Sequence, residues 1–373
     1  DGIADMIIGA PYADTGGQDR VGQSYVVFGS GAAFPAKFEL SSLDGSNGFA
    51  LNGIAAMDSS GWLVSGAGDV NGDGVDDLII GAPYADPGGR DQAGQSYVVF
   101  GSSAGFPAGI ELSSLDGSNG FALNGITVSH RSGRSVSGAG DVNGDGFADL
   151  LIGAPYASPG GRNKAGQSYV VFGSSAGFPA TIELSSLDGS NGFALNGIEE
   201  RDNSGLSVSG AGDINGDGLD DMLIAAPIAG PGGRVRAGQI YLVFGSDAGF
   251  PAELELSSLD GSNGFALNGI AEMDNARWVS GAGDVNGEGY DDLIIGAYVA
   301  DPGGRYNAGQ SYVVYGSNAG FPAEFELSSL DGSNGFALNG IASGDAAGRS
   351  VSGAGDVNGD GMDDLLISAH RAD

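Results

Sequence analysis

Cysteine is missing from this 373-residue sequence, so it has neither a disulfide framework nor a thiolate metal site, and something else must hold its loops. Histidine is almost missing too: His130 and His370 cannot furnish repeated zinc sites. Lysine and arginine number 14 against 47 aspartates and glutamates, a net charge of -33 that repels nucleic-acid phosphates and anionic membrane surfaces. Nucleic-acid binding is thereby excluded. Membrane insertion is not expected, because no run approaches the roughly 18 apolar residues of a spanning helix. No uninterrupted helical period of about ten residues occurs either, which turns the reading toward strands. The sequence opens on Asp1, without initiator methionine or signal peptide, and is expected to be a processed or partial chain.

Glycine is abundant, at 72 residues, without the strict third-position spacing of collagen. Hydrophobic residues at 41% and 17 phenylalanines argue for a packed interior rather than disorder. A long period governs the chain. LSSLDGSNGFALNGI occurs five times, with its aspartate at Asp44, Asp116, Asp188, Asp260 and Asp331, and DVNGDG or a close variant starts at Asp69, Asp141, Asp213, Asp284 and Asp356. The step is 72 residues except once, where it is 71, because IAEMDNARWVS is one residue shorter than IAAMDSSGWLVS at 54–65. The units run approximately 1–72, 73–144, 145–216, 217–287 and 288–359, with a partial unit 360–373, and are expected to form one repeat tract.

In the second unit, short apolar runs between turn residues predict strands at 62–67, 77–82, 95–101 and from Phe121, with a short edge piece at 110–115. Four antiparallel strands per unit predict an all-β protein, a β-propeller with one blade per unit; an open solenoid is the alternative. The small-residue run SGAG, at 65–68 and its four later copies, suits an innermost strand where neighbouring blades crowd together.

These residues resemble the FG-GAP repeats of integrin alpha-subunit propellers and their bacterial relatives. GAP stands at 9–11, 81–83 and 153–155, becomes AAP at 225–227 and GAY at 296–298, and the aspartate-rich loop recurs in five units. The Gly-Phe of GFALNG, or the SG before the first strand, takes the place of the FG element. The resemblance implies one blade per unit and a usual ring of seven. Five units then make either a closed five-blade ring or part of a seven-blade ring, and an opening inside a metal loop favours the part.

The string D-V-N-G-D-G-x-x-D sets side-chain oxygens at loop positions 1, 3, 5 and 9 and a backbone carbonyl at 7, with glycines permitting the sharp bends. Hard oxygen donors around a tight turn predict Ca2+, one per complete loop, five in all; magnesium and zinc suit the donor set less well. The expected ligands are Asp69, Asn71, Asp73, Val75 and Asp77; Asp141, Asn143, Asp145, Phe147 and Asp149; Asp213, Asn215, Asp217, Leu219 and Asp221; Asp284, Asn286, Glu288, Tyr290 and Asp292; and Asp356, Asn358, Asp360, Met362 and Asp364. The first unit keeps only Asp1 and Asp5. EF-hand and dockerin loops place an acid at position 12, where this chain has Ile80, Ile152, Ile224, Ile295 and Ile367, so these loops run into buried strands. Calcium is expected to be structural. The longer Glu288 makes its loop the weakest.

GSSAG at 101–105 and 173–177 imitates a hydrolase nucleophile elbow, but Ser103 and Ser175 become Asp247 and Asn318 in later copies, which marks a tolerant turn. No enzyme is expected. The PGGR arginines Arg90, Arg162, Arg234 and Arg305 read either as solvated loop residues pairing with nearby acids or as a site for an acidic partner or sulfated glycan. The chain is expected to be an extracellular or cell-surface module that binds a protein or glycan on one propeller face, or neighbouring copies of itself. A purely structural segment of a large surface or filament protein is the alternative. Differences between repeats gather at 55–63, 127–135, 199–207, 271–278 and 342–349, which read either as the partner surface, if they line one rim, or as exposed loops under relaxed selection.

Overall fold

The computed structural model describes residues 2–372, and β-strands with short 3-10 turns make up their regular structure. They form two compact units that interleave along the chain: the first takes the chain up to Gly138 together with Gly173–Ser186, the second takes Ala139–Phe172 and everything from Leu187.

The first unit holds two sheets. One orders Met6–Ala10, Gln23–Val27, Gly48–Asn52 and Gly109–Glu111; the other orders Val64–Gly68, Asp77–Ala82, Gln95–Val99, Gly120–Asn124 and Thr181–Glu183 in spatial sequence. The second unit repeats the plan. Its most complete sheet runs Ser207–Gly212, Asp221–Ala226, Gln239–Val243, Gly264–Asn268 and Glu324–Glu326, and the chain finishes on the hairpin Ala347–Gly355 with Asp364–Ala369.

A blade is thus four antiparallel strands, as the sequence predicts, plus a fifth that the sequence places incompletely. The edge piece is Gly109–Glu111, shorter than expected, and it pairs in parallel with Gly48–Asn52 of the preceding repeat. An aromatic contact explains the transfer. Phe106, just before it, stacks on Phe49 with centroids 4.2 Å apart, and Phe178 on Phe121, Phe250 on Phe193 and Phe321 on Phe265 repeat the contact.

In each complete blade the second strand has a neighbour on either side. Asp149–Ala154 and Asp221–Ala226 are buried at every residue, as strands covered on both faces must be, which accounts for their continuous apolar runs. First strands of adjacent repeats meet through small residues: a Cβ on Gly281 would lie 3.1 Å from the Gly210 carbonyl oxygen, and one on Gly138 3.0 Å from that of Gly66. That close approach is the reason for SGAG. A register shift between Gly210 and Gly212 bulges the strand, with Gly212 at φ 73° facing Asp221, and aims the chain into the aspartate-rich loop.

Candidate metal loops and the opposite loop ends

The five loops share one geometry. In the loop 69–77, Asp69 Oδ1 accepts the amides of Gly72 at 2.7 Å and Asp73 at 3.1 Å, and its Oδ2 accepts that of Gly74 at 2.8 Å. Asn71 Oδ1 accepts the Asp73 amide and Asp73 Oδ1 the Val75 amide. The position-1 carboxylate organises the turn in the same way in loops 141–149, 213–221, 284–292 and 356–364. Two loops vary. No amide of Tyr290 reaches Glu288 among the described residues, although the corresponding amide bonds position 5 in the other four loops. Asn358 turns its side-chain amide to Asp364.

Position 9 closes each loop from below. Asp77 Oδ2 accepts the Val70 amide at 3.0 Å and its Oδ1 the Gly101 amide at 2.8 Å, and Asp221 and Asp292 are held identically. Asp77, Asp149, Asp221 and Asp292 are fully buried. Burial pushes Asp77 up to about 7, against the two amides that favour its charge, and Asp73 and Asp69 add repulsion; Asp292 rises to about 7 and Asp221 to about 8 on the same causes.

Among the described residues, no three acidic or imidazole side chains converge as a ready metal cluster. The donor set nonetheless fits a hard cation. It is all oxygen, the position-1 Oδ2 and the other carboxylate oxygens that accept a single amide each retain a further lone pair, and a buried carboxylate beside two others is relieved by positive charge. Asp1 lies outside the described residues, and Asp5 accepts the Gly29 amide at 2.7 Å.

One position escaped the sequence reading. Position 8 is aspartate at Asp76, Asp220, Asp291 and Asp363 but Ala148 in the loop 141–149, a recurring acid that the ligand spacing leaves unused. Asp220 Oδ2 accepts the amide of Asp141 at 2.8 Å, Asp291 that of Asp213 at 2.9 Å, and Asp363 that of Asp284 at 3.0 Å, each one repeat earlier.

The other end of each sheet is built differently. Antiparallel order puts the connection from second to third strand, and the variable connection into the next repeat, opposite the metal loops. The two connections lie side by side: Met57, Ser59 and Ser60 donate amides to Asp19, Arg20 and Val21, and Met273 and Asn275 donate to Val235 and Arg236. Every lysine and arginine except Lys37 is in these connections or at the strand starts beside them. So are the exposed Tyr12, Ile54, Met57, Val128, Val235, Met273, Tyr306 and Ile341. Met57, Ser129, Arg201 and Met273 hold positive φ near 70° at the tips of the variable loops.

The PGGR arginines are engaged within the fold. Arg90 pairs with Glu183 at 2.7 Å, Arg162 with Glu255 at 2.6 Å and Arg234 with Glu326 at 2.7 Å, while Arg305 donates to the Gly340 carbonyl. Each glutamate also accepts from the asparagine of GFALN, as Glu183 does from Asn124 at 2.6 Å. Ser103 and Ser175 stand on exposed turns, and His130 is half-buried with its pKa lowered by burial.

The model of the FG-GAP repeat matches residues 60–99, 132–171, 204–243, 276–314 and 347–373, so each match opens at the SG before a first strand or its counterpart. Phosphatidylinositol-glycan-specific phospholipase D of Rattus norvegicus is 36% identical over 177 residues, 47% of this chain and 19% of that protein. Integrin alpha-PS2 of Drosophila melanogaster is 30% identical over 248 residues, covering 63% and 15%, and integrin alpha-V of Gallus gallus is 28% identical over 271 residues, covering 68% and 22%. The chain therefore spans about a fifth of the length of the curated relatives it matches.

Proposed function

This chain belongs to the FG-GAP repeat family, with a β-propeller fold like that of integrin alpha subunits, and on that premise we propose that it is a calcium-stiffened interaction module. In this reading the whole tract is one extracellular or cell-surface propeller domain, and each of its five complete loops holds a structural calcium ion through the oxygens at positions 1, 3, 5, 7 and 9. The protein or glycan ligand meets the opposite loop ends. It is not an enzyme, despite the phospholipase among its relatives; the exposed Ser103 and Ser175 lack the setting of a nucleophile.

The observation that carries the reading is the division of chemistry between the two ends of each sheet. Acidic loops of nearly constant sequence occupy one end. Variable loops with exposed methionine, valine, isoleucine and tyrosine beside almost all of the basic residues occupy the other. Exposed apolar side chains among arginines are the composition of a recognition surface. Calcium at the first end would hold the strands rigid without contributing to the second.

The test presents the immobilised chain with a panel of matrix proteins and of neutral and sulfated glycans, in calcium and in chelator. Binding that is lost in chelator, and lost when Met57, Val128, Met273 and Tyr306 are replaced by serine, supports the proposal. No binding across the panel, or binding indifferent to both treatments, rejects it and favours a structural spacer, the reading to which the five identical LSSLDGSNGFALNGI copies point.

A further inference from the structure

We propose that neighbouring metal loops of the second unit are coupled, so that an ion in one loop tightens the binding of an ion in the loop before it, with Asp220, Asp291 and Asp363 as the positioning residues. The inference rests on the calcium reading above.

Three consecutive residues divide their work between two loops. In loop 213–221, the carbonyl of Leu219 and the carboxylate of Asp221 are assigned to that loop's own ion. The residue between them faces the other way. Asp220 accepts the Asp141 amide at 2.8 Å on its carboxylate and donates its own amide to the Asp141 carbonyl at 3.1 Å, a reciprocal clamp on the first ligand of the preceding loop. Asp291 clamps Asp213 and Asp363 clamps Asp284 in the same two-way manner.

Side chains reinforce the clamp. Leu219 lies over Gly144, where a Cβ would be 3.0 Å from its Cδ2; a side chain on Gly216 would collide with the ring of Tyr290. Gly140, Gly212 and Gly283 leave the space through which the three aspartates enter, since a Cβ on any of them would overlap the carboxylate. Ser246 and Ser317 add amide bonds of 2.8 Å to the Val142 and Ile214 carbonyls.

An ion that fixes positions 7 and 9 of one loop must therefore fix position 8 between them, and with it the peptide of position 1 in the loop before. Coupling of this kind is reciprocal. The chain from loop 141–149 through 213–221 and 284–292 to 356–364 is continuous. Ala148 has no carboxylate with which to extend it.

The experiment uses the full chain and calcium alone, with ion affinities from flow dialysis. Asp217→Ala disables loop 213–221; the expected result is one ion fewer and roughly five-fold weaker binding at two of the remaining sites. In a chain that also carries Asp220→Ala and Asp291→Ala, the same change should remove one ion and leave the others unaltered. Asp220→Asn with Asp291→Asn retains the accepting oxygen and should restore the coupling, which separates the clamp from a loss of folding. Four unaltered affinities after Asp217→Ala alone, or weakening that persists in the alanine background, overturns the coupling while leaving the calcium reading intact. A chain that binds no calcium overturns both.

Discussion

The fold contains a natural compensation that can be taken apart. In most repeats the glycine of GAP lies against the glycine of the SG that leads into the next blade: a Cβ on Gly153 would overlap the Gly205 carbonyl oxygen, 3.0 Å from its carbon and 3.4 Å from its Cα. Gly81 with Gly133 and Gly296 with Gly348 repeat the arrangement. Ala225 is the one such position followed by another blade that is not glycine, and the connection leading from its blade to the next is the one that lost a residue. There Ala276 runs directly into Arg277, without the left-handed glycine found at Gly61, Gly133, Gly205 and Gly348, and Ala225 is buried in one cluster with Ala276 and Val279. The methyl group occupies room that the deletion made. Gly153→Ala should therefore cost about 3 kcal/mol, the upper end for overpacking, because backbone rather than a movable side chain stands in the way. In a unit of this size that is a fall in Tm of roughly 6–12 °C. Deleting Gly205 as well should recover at least half of it. Scanning calorimetry in fixed calcium on both single variants and the double gives the interaction energy. If the deletion adds its own cost without reducing that of Gly153→Ala, the compensation is refuted.

Chelation should lower Tm, since an ion held at one hundred times its dissociation constant contributes about 2.7 kcal/mol per site; an unchanged calorimetric trace would defeat the calcium assignment. Glu288→Asp should tighten the loop 284–292 toward its neighbours, read by flow dialysis, and no gain would show that the extra methylene does not matter. In chelator, Tm should rise as pH falls from 7.5 to 5. Burial raises Asp58 and Asp202 to about 6, and Asp77 and Asp221 higher, above an unfolded value of 3.8, so the folded chain binds more protons across that window and the cost of ionising them disappears on acidification. In saturating calcium the same titration should lower Tm, because protons then displace ions; a parallel response in both conditions would contradict the metal loops. Replacing Arg90, Arg162 and Arg234 together by alanine should cost no more than about 1 kcal/mol per pair, as the pairs are partly exposed.

Much of this was legible in the residues because repetition acts as an internal control. A strand such as DLLIGA could be assigned from one copy only weakly, but five copies at a fixed period leave no other use for a six-residue apolar run. The antiparallel blade followed from such runs, and the resemblance to FG-GAP repeats from the GAP and aspartate-loop motifs beside them. What stayed hidden was contact between repeats. Nothing in the spacing of Gly109–Glu111 says that it belongs to the preceding blade, because a parallel pairing across 59 positions leaves no local pattern. Position 8 was hidden by its neighbour: in an Asp-Asp pair the ligand spacing explains one aspartate and the other passes for surface charge.

The same contacts explain which parts of the repeat are free to vary. In loops 141–149, 213–221 and 284–292 the metal loop is gripped from its own blade at position 9 and from the following one at position 1, and glycines crowd both clamps, as Gly245 and Gly140 do. A substitution there disturbs two blades. The connection at the opposite end is tied to its neighbour through backbone amides, as Met273 and Asn275 are to Val235 and Arg236, and braced by the buried Asp58, Asp202 and Asp274, so that its exposed side chains project freely. Sequence drift is then confined to the surface that can meet a ligand, and the one deletion in the chain fell at that end as well. Moving a deletion of one residue into the loop 213–221 should be far more damaging than the natural one, because it would withdraw Asp220 from Asp141 and Asp221 from Ile214 and Gly245 together. A chain that tolerated it, with calcium binding undiminished at the neighbouring loop, would show that the clamp carries no load.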